Sequence, residues 1–406
     1  MTSRRRVVIA TETYLPEVGG GETQARMLAE SLLERGIGVT LVTRHSRPET
    51  PVRERLDGVD VVRVPPAGRG RWRKWGLSLT TISALVDSSR EAQAVLVSGF
   101  RILGAPAVLA TRLTRVPVVL KADNRGEMSG EYFRSGLSAA GLTPASPPVR
   151  MFVGTRNALL RRAEAFVALS EEMAAEFESC GVSPERLHRI PNGVDIERFR
   201  PADPAAREAL RHGLGLPDGR IVAFTGRLVS WKGLPLLARA WEQLVRDGIR
   251  ATLLLVGEGG MDMHACEDEL RAFARDRGLA DAIRFTGVVP NVDDYLRASD
   301  AFAFPTTDDA FGISLAEAMA CALPVVSTHV GAIRDFLVDG RNGLVVPVGD
   351  EIALATALRR LVNGGPEIDA LGRAARETAV TRFSHRAVAD AYVRLIDSLG
   401  ALRAAA

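Results

Sequence analysis

Apolar and polar positions along this chain fall into two successive series, each repeating a short apolar run, a glycine-bearing turn and an amphipathic stretch. The first series opens with RRVVIA at 5–10, a short strand of buried type. Then TETYLPEVGGGETQARMLAESLLERG forms a glycine-rich loop and a helix with Ala25, Leu28, Ala29, Leu32 and Leu33 on one face, ended by Gly36. VTLVT at 39–43 is a second strand, and a strand, loop, helix, strand unit implies a parallel sheet with the loop at the strands' C-terminal edge. Val59–Val64, Ala94–Ser98 and Val116–Leu120 read as further strands, the last after a helix carrying Ala107, Leu109, Ala110 and Leu113. A helix over 150–163, the strand AFVALS (165–170) and a surface helix capped by Ser170 complete the series.

LHRIPNGVDIERFRP (187–201), with its Pro-Asn-Gly turn and Pro201, marks a boundary, and the alternation restarts after Gly219. IVAFTGRL (221–228), ATLLLVGEG (251–259), AIRFTGVV (282–289) and AFAFPT (301–306) read as strands with their turns, separated by helices in WKGLPLLARAWEQLV, CEDELRAFARDRGL and VDDYLRASD. The fourth delivers the chain to DDAFGISLAEAMACALPVV (308–326), a Phe-Gly turn entering a helix, then a β-branched run opened by Pro324. The expected fold class is α/β: two Rossmann-like, doubly wound domains facing across a cleft, at 1–196 and 197–385. Residues 386–406 are expected to form a helix packing across the domain junction.

Length supports two domains, since 406 residues exceed what one core sustains. Apolar residues make 46% and charged residues 25%, the balance of a soluble globular protein, and no apolar run reaches transmembrane length. The N-terminus passes at once into a strand without a signal-peptide core, so a cytoplasmic protein is expected. Cys180, Cys266 and Cys321 have no metal-ligand spacing and are expected to be free, buried thiols.

Charge is uneven. Residues 1–196 hold 27 Arg/Lys against 21 Asp/Glu, +6, and the remainder 25 against 28, −3, which sum to the net +3. RGRWRKWG (69–76) sets four basic residues around Trp72 and Trp75, a composition suited to peripheral contact with an anionic membrane surface through Arg69–Trp75. A solvated loop with its tryptophans tucked inward is the plain alternative. SAAGLTPASPP (138–148) is low in complexity and expected to be mobile. Lysine occurs only at 74, 121 and 232, which singles out places where a compact point charge is retained amid arginine.

The candidate chemistry lies at strand ends. The Phe311-Gly312-Ile313 turn offers free amides and the positive end of a helix dipole, a seat for phosphate, with Asp309 before it and Glu317 about two turns into the helix. The bland reading makes Glu317 a solvated helix residue and Asp309 an N-cap. Arg227, Lys232, Glu258 and Glu317 can face one crevice, where cations neutralise a diphosphate and a carboxylate accepts ribose hydroxyls. Gly19–Gly21 do not make the dinucleotide fingerprint, so a nicotinamide enzyme is disfavoured. Lys121, Asp123, Arg125 and Glu127 cluster after a strand, where α/β folds place their chemistry; solvated loop charge is the alternative.

GGGE (19–22), PNGVD (191–195), GRLVSWKGL (226–234), LLVGEG (254–259) and FGISLAEAMACALPVV (311–326) together resemble the retaining glycosyltransferases of family 4, with the GT-B fold, over nearly the whole chain. The resemblance implies an N-terminal acceptor-binding domain and a C-terminal domain binding a nucleoside-diphosphate sugar. It implies that Arg227 and Lys232 bind the donor phosphates, that Glu317 holds the ribose, and that backbone near Val289 meets the base. The amides of Gly312, Ile313 and Ser314 would meet the phosphate or sugar, and Gly20 and Gly21 would approach the diphosphate from the other domain. No metal and no cofactor are implied beyond the nucleotide sugar, and nucleic acid is not a partner. The acceptor would be a glycan, a lipid-linked sugar or a small molecule, in glycan, exopolysaccharide or glycolipid synthesis.

Two departures stand out. Asp309 occupies a position where the family usually carries glutamate, and the histidine that many members place near the reacting sugar is absent, leaving Lys121 and Asp123 in that vicinity. The alternatives are a nucleotide-sugar 2-epimerase, or a catalytically silent nucleotide-sugar-binding partner of a glycan assembly complex.

Overall fold

The computed structural model describes residues 5–17, 19–68, 71–133, 141–143, 145–260 and 262–405. The chain divides into two compact units, one of residues 1–193 with 385–406 and the other of 194–384.

The first unit is built on an eight-stranded sheet. Its strands are β1 (Arg6–Thr11), β2 (Gly38–Arg44), β3 (Arg53–Leu56), β4 (Val59–Val64), β5 (Ala94–Ser98), β6 (Val118–Lys121), β7 (Ala165–Ala168) and β8 (Leu187–Arg189), in the order β3-β4-β2-β1-β5-β6-β7-β8. All pairs are parallel except β3 with β4. That hairpin turns on Asp57-Gly58, both at positive φ, the Asp-Gly signal of a tight turn between strands. The apolar runs of β5, β6 and β7 are buried along their full length, as strands covered on both faces require.

Strand order reverses between β1 and β5, which opens a crevice at their C-terminal ends. The Gly20–Glu34 helix covers one face, burying Ala25, Ala29 and Leu32. The His385–Ala405 helix joins the same core through Val388, Tyr392, Leu395, Ile396 and Leu399, so the C-terminal segment belongs to the first unit. Gly193 makes room for it, because a Cβ there would meet the His385 backbone at 3.0 Å.

The second unit holds a wholly parallel sheet of β9 (Arg220–Thr225), β10 (Ala251–Val256), β11 (Ile283–Gly287), β12 (Ala301–Phe304), β13 (Val325–Thr328) and β14 (Leu344–Val346), ordered β11-β10-β9-β12-β13-β14. Here the order reverses between β9 and β12. The helices Glu351–Asn363 and Pro366–Phe383 complete the unit, the first capped by Asp350, whose carboxylate accepts from the Ala353 amide. Both α/β halves thus follow the expected alternation.

Where a loop was expected around the tryptophans, a helix runs from Arg71 to Ser89. Arg69 and Gly70 lie outside the described residues, as do the side chains of 71–79, and with them the expected membrane contact. The low-complexity stretch is also partly outside the description, and Pro147 opens a helix to Leu160. Cys180 is half-buried rather than buried, while Cys266 and Cys321 are buried, and all three are free thiols.

Candidate active site

In the second unit, β9 empties into 226–232 and β12 into 305–312, so these two segments leave adjacent strands at the point where the order reverses. They come together closely. Gly233 lies at φ +73°, and a Cβ there would sit 1.9 Å from the Pro305 carbonyl oxygen, so glycine is required. Lys232 Nζ pairs with Asp309 Oδ2, with only 16% and 14% of the two side chains exposed. The ammonium also stands 5.1 Å from the centroid of the Phe304 ring.

Asp309 does more than pair. Its Oδ1 accepts from the amides of Phe311 at 3.0 Å and Gly312 at 2.7 Å, folding the turn over the carboxylate. Gly312, at φ +82°, opens the Ile313–Ala320 helix, and no side chain caps it. The Gly312 amide is therefore taken by Asp309, and the amides of Ile313, Ser314 and Leu315 are those left at the helix start among the described residues. Gly226 borders this end, since a Cβ on it would lie 3.6 Å from Ser314 Oγ.

Arg227, 63% exposed, pairs with Asp262 at 2.7 Å and lies with its Cζ 5.3 Å from the Trp231 ring centroid. Glu258 is exposed, and its backbone carbonyl ties it to the neighbouring loop, accepting from the Leu228 amide at 2.9 Å. Val289 is half-buried against Ile221, Leu254 and Val256. Glu317 is likewise half-buried at its surface. Burial pushes its carboxyl up to about 8, with the charge of Asp293 adding and that of Arg198 opposing.

That last pair was missed by the sequence reading. Arg198 and Asp293 bond at 2.7 Å, and Arg198 also donates to the Pro290 carbonyl at 2.9 Å, beside the loop that carries Val289. Nothing in DIERFRP or VDDYLRA signals the contact, because the partners lie 95 residues apart.

The first unit has its own charged site. Lys121, the last residue of β6, donates to Asp123 Oδ1 and lies 3.5 Å from Ser98 Oγ, and Ser98 donates to Asp123 at 3.0 Å. Two glycines clear the space around this carboxylate: a Cβ would come within 3.0 Å of Asp123 Oδ2 at Gly99 and 3.6 Å at Gly21. Gly20 and Gly21 begin the Gly20–Glu34 helix rather than a free loop. Arg125 turns away to pair with Glu172 at 2.6 Å, and Glu127 is buried, so the polar cluster after β6 is not one solvated patch.

Behind Lys121 lies a cavity of about 40 Å³, bordered by Ile9, Gln24, Asn192, His385 and Tyr392. That is room for roughly three water molecules. Tyr392 Oη and Asn192 Oδ1 are buried there without a hydrogen-bond partner among the described residues. Gln24 closes one wall by bonding both the carbonyl (2.9 Å) and the amide (2.7 Å) of Gly193.

Among the described residues no group of three or more His, Cys, Asp or Glu could hold a metal ion, and no helix is long and apolar enough to cross a membrane.

Comparison with known proteins follows the same division. Residues 219–364 match the family described as glycosyl transferases group 1, and residues 19–193 the glycosyl transferase 4-like domain. The chain is 30% identical to the D-inositol 3-phosphate glycosyltransferase of Saccharomonospora viridis, over 96% of this chain and 92% of that protein. The protein of the same name from Acidothermus cellulolyticus is also 30% identical, over 90% and 84%. Among solved structures, sucrose-phosphate synthase from Thermosynechococcus elongatus superposes with a TM-score of 0.79 at 22% identity, covering 98% of this chain and 100% of that one. Anabaena HepE in complex with UDP-glucose gives 0.75 at 20% identity, covering 97% and 99%. These structures share the GT-B fold with this chain.

Proposed function

The chain belongs to the glycosyl transferases of group 1, and we propose that it moves a hexose-type sugar from a nucleoside diphosphate to an acceptor hydroxyl with retention of anomeric configuration. That it is a glycosyltransferase follows from the family; the donor, the stereochemistry and the residue roles are our reading. The observation that carries it is the half-buried Lys232–Asp309 pair beside an uncapped helix start, with Arg227 on the neighbouring loop and Glu317 further along the helix. Cations and amides at a strand-order reversal suit a diphosphate.

In this reading Lys232, Arg227 and the amides of Ile313 and Ser314 receive the diphosphate, and each cation turns from its carboxylate partner toward phosphate oxygens. Glu317 accepts the ribose hydroxyls, and the backbone at Val289 meets the base. Asp309, released in part from Lys232, faces the transferred sugar.

The bond between the anomeric carbon and the diphosphate oxygen lengthens, and positive charge develops on the sugar while negative charge gathers on the leaving group. Lys232 and Arg227 stabilise that charge, an electrostatic contribution made where it develops. The acceptor hydroxyl forms the new bond from the same face and passes its proton to the departing phosphate oxygen. In the first unit, Lys121 and Asp123 take the place near the reacting sugar. We place the reaction in the cytoplasm, without a bound metal.

The acceptor belongs to the same reading. D-inositol 3-phosphate, the compound in the relatives' name, is the first one to test. The relatives named above are glycosyltransferases by name and the Thermosynechococcus protein a synthase, and they lend no support to an epimerase.

A thermal-shift screen of UDP-, GDP- and ADP-sugars identifies the donor, since a ligand bound only by the folded state raises the midpoint. NMR of the product then reads the anomeric configuration. An α-linked donor giving an α-linked product is expected, and a β-linked product would sink the retaining mechanism.

A further inference from the structure

The loop leaving β6 carries a carboxylate that the chemistry above does not use. Glu127 is 1% exposed. Its Oε1 accepts from the amides of Asp123 at 3.0 Å and Asn124 at 3.1 Å, and its Oε2 from the amide of Arg101 at 3.0 Å. Asp123 and Asn124 follow β6, while Arg101 sits in the first turn of the Phe100–Thr114 helix that follows β5. One carboxylate therefore ties together the segments that leave two neighbouring strands. Past the strand ends no ladder remains to satisfy these amides, and buried amides left unpaired are costly.

A second carboxylate holds the rest of the loop. Glu176 accepts from the amides of Gly126 (2.8 Å), Met128 (3.0 Å) and Ser129 (2.8 Å). Arg156 and Asn157 donate in turn to the carbonyls of Glu127 and Met128. The two acids differ in what they fix. Glu176 grips the far part of the loop, whereas Glu127 grips the amide of Asp123 itself, whose carboxylate must fit the space left by Gly21 and Gly99.

We propose that Glu127 is a positioning residue, which sets the place of Asp123 and through it the Lys121 ammonium for the transfer reaction. This rests on the reading of Lys121 and Asp123 given under the proposed function. Burial and the neighbouring charge of Asp123 push the Glu127 carboxyl up to about 7, against the pull of its amide bonds and of Arg101. The charged groups around it are Asp123 and Lys121 from its own segment, and Arg101, itself paired with Glu12, from the helix after β5. Arg156 reaches it from the Pro147–Leu160 helix, and Glu176 stands on the Glu171–Ser179 helix. Protonation weakens Glu127 as an acceptor for three amides at once, so the hold on Asp123 loosens as pH falls through that value.

The test uses the full chain, UDP-glucose as donor probe and D-inositol 3-phosphate as acceptor, with UDP release followed across pH and amide exchange measured on the same proteins. Glu127→Gln should lower kcat by about 10²-fold, the scale of a small misplacement at a reacting centre. It should leave KM for UDP-glucose within about twofold and abolish an acid limb near pH 7 that the unchanged protein shows. Amide exchange should speed up at Asp123, Asn124 and Arg101. Glu127→Asp should recover part of the rate, and Glu176→Gln should keep the limb while releasing Gly126, Met128 and Ser129. Wild-type kcat with the limb intact in Glu127→Gln overturns the proposal, as does unchanged exchange at Asp123. If the unchanged protein turns over neither probe, the transfer reading is what suffers, and exchange at Asp123 still decides whether Glu127 holds the loop.

Discussion

Each unit sets one lysine beside one aspartate at the C-terminal edge of its sheet, and the two pairs are supported differently. In the second unit Asp309 is its own scaffold: one oxygen takes Lys232 and the other takes the amides of Phe311 and Gly312. In the first unit the Asp123 carboxylate serves Ser98 and Lys121, while its backbone hangs on Glu127. Charge and turn are one residue's work in the first case and two residues' work in the second. It follows that chemistry and folding are coupled at Asp309 and separable at Asp123.

Stability should show this most strongly. Asp309→Ala leaves a half-buried ammonium unpaired and two amides without their acceptor, and should lower the unfolding free energy by about 3–5 kcal/mol. Asp123→Ala likewise leaves the Lys121 ammonium unpaired but keeps every amide bond to Glu127, so it should cost about 1–3 kcal/mol less. Urea unfolding of the two variants measures both, and equal losses would erase the distinction.

Glu317 sharpens the comparison through pH. Its carboxyl, near 8 in the folded chain, lies above the unfolded value of 4.5, so the native state holds a proton that the unfolded state has already lost. Its contribution to stability is therefore full below about 4.5 and falls as pH rises through about 8. Glu317→Gln should flatten that decline and raise the melting temperature at alkaline pH. If ribose hydroxyls donate to the ionised form, UDP affinity in the unchanged protein tightens as pH rises through the same range, and the variant binds more weakly without that dependence. Calorimetry at several pH values reads it; a variant that binds UDP as tightly as the unchanged chain would remove Glu317 from the ribose.

The smallest effect is expected at Tyr392. Its ring fills the core between the C-terminal helix and the sheet, but its buried Oη has no partner among the described residues. Tyr392→Phe keeps the ring and should change stability by less than about 1 kcal/mol. A larger loss in urea unfolding would mean that the cavity behind Lys121 supplies the hydroxyl with a hydrogen bond.

Much of this was legible in one dimension, with failures of distinct kinds. The Asp57-Gly58 hairpin carried an available signal, Asp-Gly between apolar residues, that the reading of strands passed over. The stretch around Trp72 and Trp75 was read by its basic composition, and that masked a helix from Arg71. Glu127 was grouped with its neighbours as a charged cluster, because a sequence shows a carboxylate's charge but not the amides waiting for it. Lys232 and Asp309 were both picked out, yet not as a pair, since 77 residues separate them.

The sequence by itself determined two α/β halves, their strand ends and the family to which they belong. Those depend on apolar runs, glycine turns and helix periodicity, all written within a few neighbouring residues. Only the tertiary structure decided that the last helix returns to the first unit, that Asp309 folds its own turn around Lys232, and that Glu127 is buried among three amides. Each of these depends on which distant segments exclude water from one another, and burial sets both the cost of a charge and the partner it must find.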